Sequence, residues 1–126
     1  MKINRIDHLV LTVADIDRTV EFYTRVLGME KIEFAQGRIA LACGEQKINL
    51  HQLGKELEPR AEYVRAGSAD LCLIIDTPIE QAIEQIQQHG VDLIAGPVNR
   101  TGAKGKIISA YLRDPDGNLL EVSNYI

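Results

Sequence analysis

One pattern is written twice along this sequence, and it limits the folds open to the chain more than any single residue does. An alternating run over residues 5–13 leads into ADIDRTVEFYTRVLG, where Ile16, Val20, Tyr23, Val26 and Leu27 recur at helical spacing. Three β-like runs follow, near 29–35, 38–43 and 46–53, separated by turn residues such as Gln36-Gly37 and Gly44-Glu45. Residues 54–68 contain Pro59 and Gly67, lack a clean period and read as a linker. The order then starts again. ADLCLIID reads as a strand, PIEQAIEQIQQHG as a helix with Pro78 near its first turn, and the runs near 91–95, 106–113 and 118–124 as strands.

The second copy follows the first at an offset of about 62 residues, so Asp70 takes the place that His8 holds. Neither βαβββ half, residues 1–54 or 68–126, is large enough to close its own core. The expectation is a single α+β domain of two paired modules, with curved sheets around a cavity. Local signals agree: Asp15 or Asp17 can cap the first helix, Gly28 and Gly90 can stop the two helices, and Asp114-Pro115-Asp116-Gly117 is a tight turn.

With 126 residues the chain buries roughly two-thirds of its unfolded surface and needs no disulfide to stand. Its two cysteines, Cys43 and Cys72, have apolar neighbours and no CxxC context, which predicts reduced, buried thiols. The amino terminus runs directly into a strand without a long apolar segment, so a soluble cytoplasmic protein is expected. A net charge of −4, with both signs interspersed, argues against nucleic acid or an anionic membrane as the main partner. A small molecule suits the chain better.

Four residues carry the candidate chemistry: His8 in IDHLVLTV, His51 in KINLHQL, Asp70 in ADLCLII and Glu121 in GNLLEVSNY. Imidazole nitrogen and carboxylate oxygen suit a divalent Zn, Mn, Ni, Co or Fe ion. Alternation puts Lys47 and Asn49 on the face of His51 and apolar residues on the other, as expected for a cavity wall opposite a core. Asp70 opens an apolar strand, where it faces either solvent at the strand end or a partner such as a metal. Glu121 lies inside LLEVSNY, where an unpaired carboxylate facing a core is costly, so a cavity or ion partner is favoured. Arg38, Arg100, Lys104 and Lys106 are either solvated surface or contacts for a polar substrate, and Gly102 and Gly105 would let the NRTGAKGK loop move over the cavity.

The opening IDHLVLTVADIDRTVEFYTRVLGM and the closing AYLRDPDGNLLEVSNYI resemble the two signatures of the vicinal oxygen chelate superfamily, in its glyoxalase-like branch. FAQGRIALACGEQKINLHQLGKELEPRA and GPVNRTGAKGKI are similar to glyoxalase-domain proteins described as lactoylglutathione-lyase-like, some of them virulence-associated. The resemblance covers the whole chain and implies the fold of glyoxalases, bleomycin resistance proteins and extradiol dioxygenases. It further implies one divalent metal per site, with His8 and Glu121 as ligands, His51 at an optional position where glyoxalase I usually has glutamate, and Asp70 where histidine is usual.

The activity implied is that of a metal-dependent lyase or isomerase acting on a small oxygen-chelating substrate, such as the hemithioacetal of an α-oxoaldehyde and a thiol. Glu121 would be both ligand and base, and Arg38, Asn49, Arg100 and Lys104 would line the substrate site. Other readings on the same scaffold are a ring-cleaving dioxygenase, a thiol transferase and a non-catalytic protein that sequesters a small molecule. The resemblance also implies a homodimer with sites shared between chains.

Overall fold

The computed structural model describes all residues from Met1 to Ile126, and the chain divides into two compact units, Met1–Ala66 and Gly67–Ile126. Unit 1 runs β1 (His8–Val13), α1 (Ile16–Arg25), β2 (Lys31–Phe34), β3 (Arg38–Cys43) and β4 (Gln46–Gln52). Unit 2 runs β5 (Asp70–Ile74), α2 (Ile79–Gln88), β6 (Ala95–Gly102), β7 (Gly105–Arg113) and β8 (Leu119–Tyr125). The repeated βαβββ order is therefore real. Each unit is one four-stranded sheet, ordered β1-β4-β3-β2 in the first and β5-β8-β7-β6 in the second. In both, the first strand lies parallel to the last and the other pairings are antiparallel.

A parallel pair needs a crossover, and in each unit the helix begins that connection. Helix α1 starts where Asp15 accepts a hydrogen bond from the Arg18 N–H at 2.9 Å, and it ends just before Gly28, whose φ of +69° only glycine adopts without strain. The helix and sheet of unit 1 bury Leu11, Val13, Phe22, Tyr23, Ile48 and Leu50, with the Phe22 and Tyr23 rings edge-to-face at 5.5 Å. In unit 2 the buried set includes Ile79, Ile86, Ala110, Leu112, Leu120 and Val122. Along β8 these apolar residues alternate with Leu119, Glu121 and Ser123, so one face of the sheet is core and the other carries polar side chains.

The same amide clamp closes both units. In unit 1, Gln52 accepts from the Ile16 N–H at 3.2 Å and donates to the Ala14 carbonyl at 2.5 Å. In unit 2, Asn124 accepts from the Ile79 N–H at 2.7 Å and donates to the Ile75 and Thr77 carbonyls at 2.9 and 3.0 Å. The last strand of each unit thus holds the entry to its helix.

Two expectations need correction. The strand placed near 91–95 begins only at Ala95 and runs to Gly102, taking in residues assigned to a movable loop. Gly102 pairs with Gly105 across a two-residue hairpin tip, and the tip is tied down where the Lys104 N–H donates to the Tyr125 hydroxyl at 3.1 Å. β6 is an edge strand of polar residues with no apolar alternation to announce it. The cysteines are free, as expected, but Cys43 is half-buried and Cys72 is exposed. Cys72 shares the polar face of β5 with Asp70, away from the core.

The DPDGN turn is a structural lock as well as a sequence signature. One Asp114 carboxylate oxygen accepts from the N–H groups of Asp116 and Asn118 at 2.9 and 3.0 Å, and the other accepts from the Asn118 amide at 2.7 Å. The Asn118 side-chain oxygen in turn accepts from the Ala69 N–H at 2.8 Å, which fixes the start of β5 beside β8. Asn118 is 1% exposed, so losing its amide strands buried partners. Asn118→Ala is expected to cost about 2–3 kcal/mol in denaturant unfolding; an unchanged midpoint would show that the turn holds without it.

Candidate active site

Register decides which candidate residues meet. In unit 2, Asp70 lies opposite Leu119 and Cys72 opposite Glu121, which puts Asp70 and Glu121 on one face, diagonal to each other across two adjacent strands. On the other side of β8, Tyr111 lies opposite Glu121 and Ser109 opposite Ser123. Glu121 therefore stands at the centre of a polar sheet face with Asp70, Cys72, Ser109, Ser123 and Tyr111 around it. Arg100 reaches this face from β6, donating through Nε to the Tyr111 hydroxyl at 3.0 Å with its guanidinium 5.4 Å from the ring centroid.

The hydroxyls form a directed chain. Ser109 donates to Glu121 Oε1 at 2.6 Å, and Ser109 and Ser123 are joined at 2.7 Å. A hydroxyl has one proton, so Ser109, having given its own to the carboxylate, accepts from Ser123. Ser123 lies 3.4 Å from the Cys72 sulfur, leaving the thiol as the donor to that hydroxyl. Both serines are completely buried. The chain ends on Oε1, which fixes the carboxylate and turns its second oxygen to other use. The Cys72 thiol is pushed up from its ordinary value by burial first, and the neighbouring Glu121 and Asp70 charges add to the rise.

Unit 1 repeats the geometry with different residues. His8 lies opposite Lys47 and Val10 opposite Asn49, the same diagonal that relates Asp70 to Glu121. The equivalent of Glu121 is therefore Asn49, and the equivalent of Ser123 is His51. His51 faces Thr12, four register steps beyond His8, which is about 13 Å along the strands at ~3.3 Å per residue. Metal–nitrogen bonds of about 2 Å cannot bridge two same-face imidazoles that far apart on parallel strands. The expectation that His8 and His51 share one ion is therefore corrected by the register of β1 and β4.

His8 is well prepared as a donor. Its Nδ1 is 2.8 Å from the Asp7 carboxylate, an outer partner that orients the ring and leaves Nε2 as the nitrogen able to ligate. That hydrogen bond is the main reason Asp7 sits below the usual carboxylate range. Asn49 and His51 are 4% and 7% exposed, and Asn49 Oδ1 and His51 Nε2 have no hydrogen-bond partner within the chain. Of the proposed substrate contacts, Arg38 lies over the Phe34 ring at 4.9 Å, Arg100 is engaged with Tyr111 and the Asn99 carbonyl, and Lys104 is at the hairpin tip. Arg100 and Lys106 line a hollow of about 340 Å³ in unit 2. Tyr111 also lies beside Glu121; its odd-numbered alternation with Ser109 in β7 is the signal for that face.

The chain belongs to the Glyoxalase/Bleomycin resistance protein/Dioxygenase superfamily, whose family model matches residues 5–122. It is 56% identical over 126 residues to Virulence protein STM3117 of Salmonella typhimurium, an alignment covering 100% of this chain and 88% of that protein. The fold superposes with a TM-score of 0.98 on an integron cassette protein from the mobile metagenome of V. Cholerae, at 60% identity over 100% of this chain and 98% of the other. A more distant relative is lactoylglutathione lyase of Escherichia coli O157:H7, 29% identical over 133 aligned positions that cover 94% of this chain and 90% of that enzyme.

No group of three His, Cys, Asp or Glu side chains is gathered for an ion within the chain. The donors themselves nonetheless fit a divalent metal. Unit 2 offers two carboxylates on one face, one of them with a single oxygen already engaged, and unit 1 offers an imidazole oriented by a carboxylate. Because the Cys72 thiol is held up by burial and by Glu121, its alkylation rate should stay low at neutral pH and rise only above the ordinary thiol range. Glu121→Gln should move that profile down, and a wild-type profile at or below the ordinary range would contradict the network.

Proposed function

We propose that this protein is a metal-dependent glyoxalase-like isomerase or lyase, acting on a small molecule with two neighbouring oxygens such as an α-oxoaldehyde–thiol hemithioacetal. The observation that carries the proposal is the state of Glu121, whose Oε1 is committed to Ser109 and whose other oxygen faces the same side of the sheet as Asp70. The metal ligands we propose are the two carboxylates of unit 2, Asp70 and Glu121. The 29% identical lactoylglutathione lyase and the superfamily match support this choice of reaction class over a structural role. A divalent ion bound there supplies a positive charge that stabilises negative charge developing on the two substrate oxygens.

The remaining work falls to the chain. Glu121 takes the proton from the carbon bearing the thiol sulfur and returns it to the neighbouring carbon, so the hemithioacetal becomes a thioester of a 2-hydroxy acid without net change of atoms. Ser109, backed by Ser123, holds the carboxylate still during both transfers. Arg100 and Tyr111 supply donors beside it for a polar substrate end.

Turnover of a methylglyoxal–glutathione hemithioacetal by protein reconstituted separately with Zn, Ni, Co, Mn and Fe tests the proposal. Activity with at least one ion, lowered about 100-fold or more in Glu121→Gln, is the expected result. Absence of turnover with all five ions, or equal turnover in the variant, would overturn it. Ser109→Ala should lower kcat by about tenfold with little change in KM, since Ser109 positions the base without touching substrate.

A further inference from the structure

Asp70 sits where a strand is easiest to lose. It is the first residue of β5, a strand of five residues at the edge of its sheet with β8 as its one neighbour. The ends of short edge strands open more readily than the interior of a sheet. Glu121 lies diagonal to Asp70 on the same face, so two carboxylates repel each other across the pair before any ion is present. Each of these favours a frayed start to β5, and fraying would carry Asp70 away from Glu121.

The chain entering β5 is instead fastened to the turn before β8, at three points. The Ala69 N–H donates to the Asn118 side-chain oxygen at 2.8 Å, and the Ala69 carbonyl accepts from the Leu119 N–H at 3.0 Å, so both main-chain groups of the residue before Asp70 are held. Two residues earlier, Gly67 lies so close to the turn that a Cβ there would collide with the Asp116 carbonyl oxygen. Its φ of +85° favours glycine as well. The turn itself is rigid, because Asp114 accepts from the Asp116 and Asn118 N–H groups and from the Asn118 amide.

Unit 1 supplies the comparison. It has the same parallel pairing of first strand with last, but the Gly44-Glu45 turn before β4 makes no main-chain hydrogen bond to residues 1–7, and all seven are exposed. The strand order alone therefore does not require the fastening, and it occurs in the copy that holds two carboxylates. We propose that it is a positioning device, in which Asn118 and Gly67 hold Asp70 in register with Glu121 so that the pair is set for a divalent ion before the ion arrives. The inference rests on the reading of Asp70 and Glu121 as metal ligands, and it adds to them residues that touch neither ion nor substrate.

Gly67→Ala tests it beside Gly90→Ala. The φ angles at the two positions are +85° and +76°, but a Cβ at Gly90 meets nothing within 4 Å, so backbone strain is common to both variants and only the first pushes against the turn. In metal-free wild type the Ala69 amide should exchange with solvent about 100-fold or more slower than an open amide, and nuclear Overhauser contacts should join Asp70 to Leu119. Gly67→Ala should lose both signals and Gly90→Ala should keep both. Titration of the folded proteins with each of Zn, Ni, Co, Mn and Fe should show affinity weaker by about tenfold or more in Gly67→Ala and within about twofold of wild type in Gly90→Ala. Fast Ala69 exchange in wild type, Asp70–Leu119 contacts that survive in Gly67→Ala, or equal affinity in all three proteins would each overturn the proposal, and the first of these needs no variant to fold. A wild type that binds none of the five ions would overturn the ligand reading itself, and the metal-free exchange and contacts distinguish that failure from a failure of the fastening.

Discussion

The parallel pairing of first strand with last is the constraint on which the rest of this structure depends. In each unit the chain leaves β1 or β5, crosses through a helix, makes two antiparallel strands and returns beside its own beginning. Nothing else in a βαβββ order brings the two ends together. That return sets Asp70 diagonal to Glu121 and His8 diagonal to Asn49, and it lets the final amide, Gln52 or Asn124, clamp the start of the helix. In unit 2 the DPDGN turn fixes the return, because Asn118 holds the Ala69 N–H. A motif that marks the family thus does its physical work by setting strand register.

A sheet with one core face must still satisfy whatever it turns the other way. Unit 2 answers with a polar network in which Cys72, Ser123 and Ser109 pass hydrogen bonds in one direction to Glu121. Two serines with no solvent exposure are costly unless each proton and lone pair is used, and here they are used in holding a carboxylate. Unit 1 leaves the matching row partly open, with Asn49 Oδ1 and His51 Nε2 buried and without partners. One fold has therefore produced a closed polar face in one copy and an open one in the other.

Much of this was legible in the sequence, for physical reasons that also mark where legibility ends. Helix period, an aspartate cap at Asp15 or Asp17 and Gly28 are local signals, and they located α1; alternation likewise put Asn49 and His51 on one face of β4 and Ile48 and Leu50 on the other. β6 was misplaced because Asn99, Arg100 and Thr101 pay no penalty for polarity on an exposed edge, so no hydrophobic rhythm reveals them. The pairing of His8 with His51 failed for another reason. Residue chemistry favoured it, whereas register is a long-range property that no local window contains. Aligning INLHQ with LEVSN would have matched Gln52 to Asn124 and exposed Asn49 as the counterpart of Glu121. In residues 54–68, read as a linker, the Glu56–Arg60 brace was hidden similarly, since irregular segments announce no such pairing.

The central claim is that Asp70 and Glu121 form a carboxylate pair made for a divalent ion. Elemental analysis of the untagged protein after exposure to divalent ions and removal of excess tests it directly, with wild type set beside an Asp70→Asn/Glu121→Gln double variant. One ion per chain in wild type, lost in the folded double variant, is the result the account predicts. Equal metal content in both, or none in wild type after every ion has been tried, would contradict it.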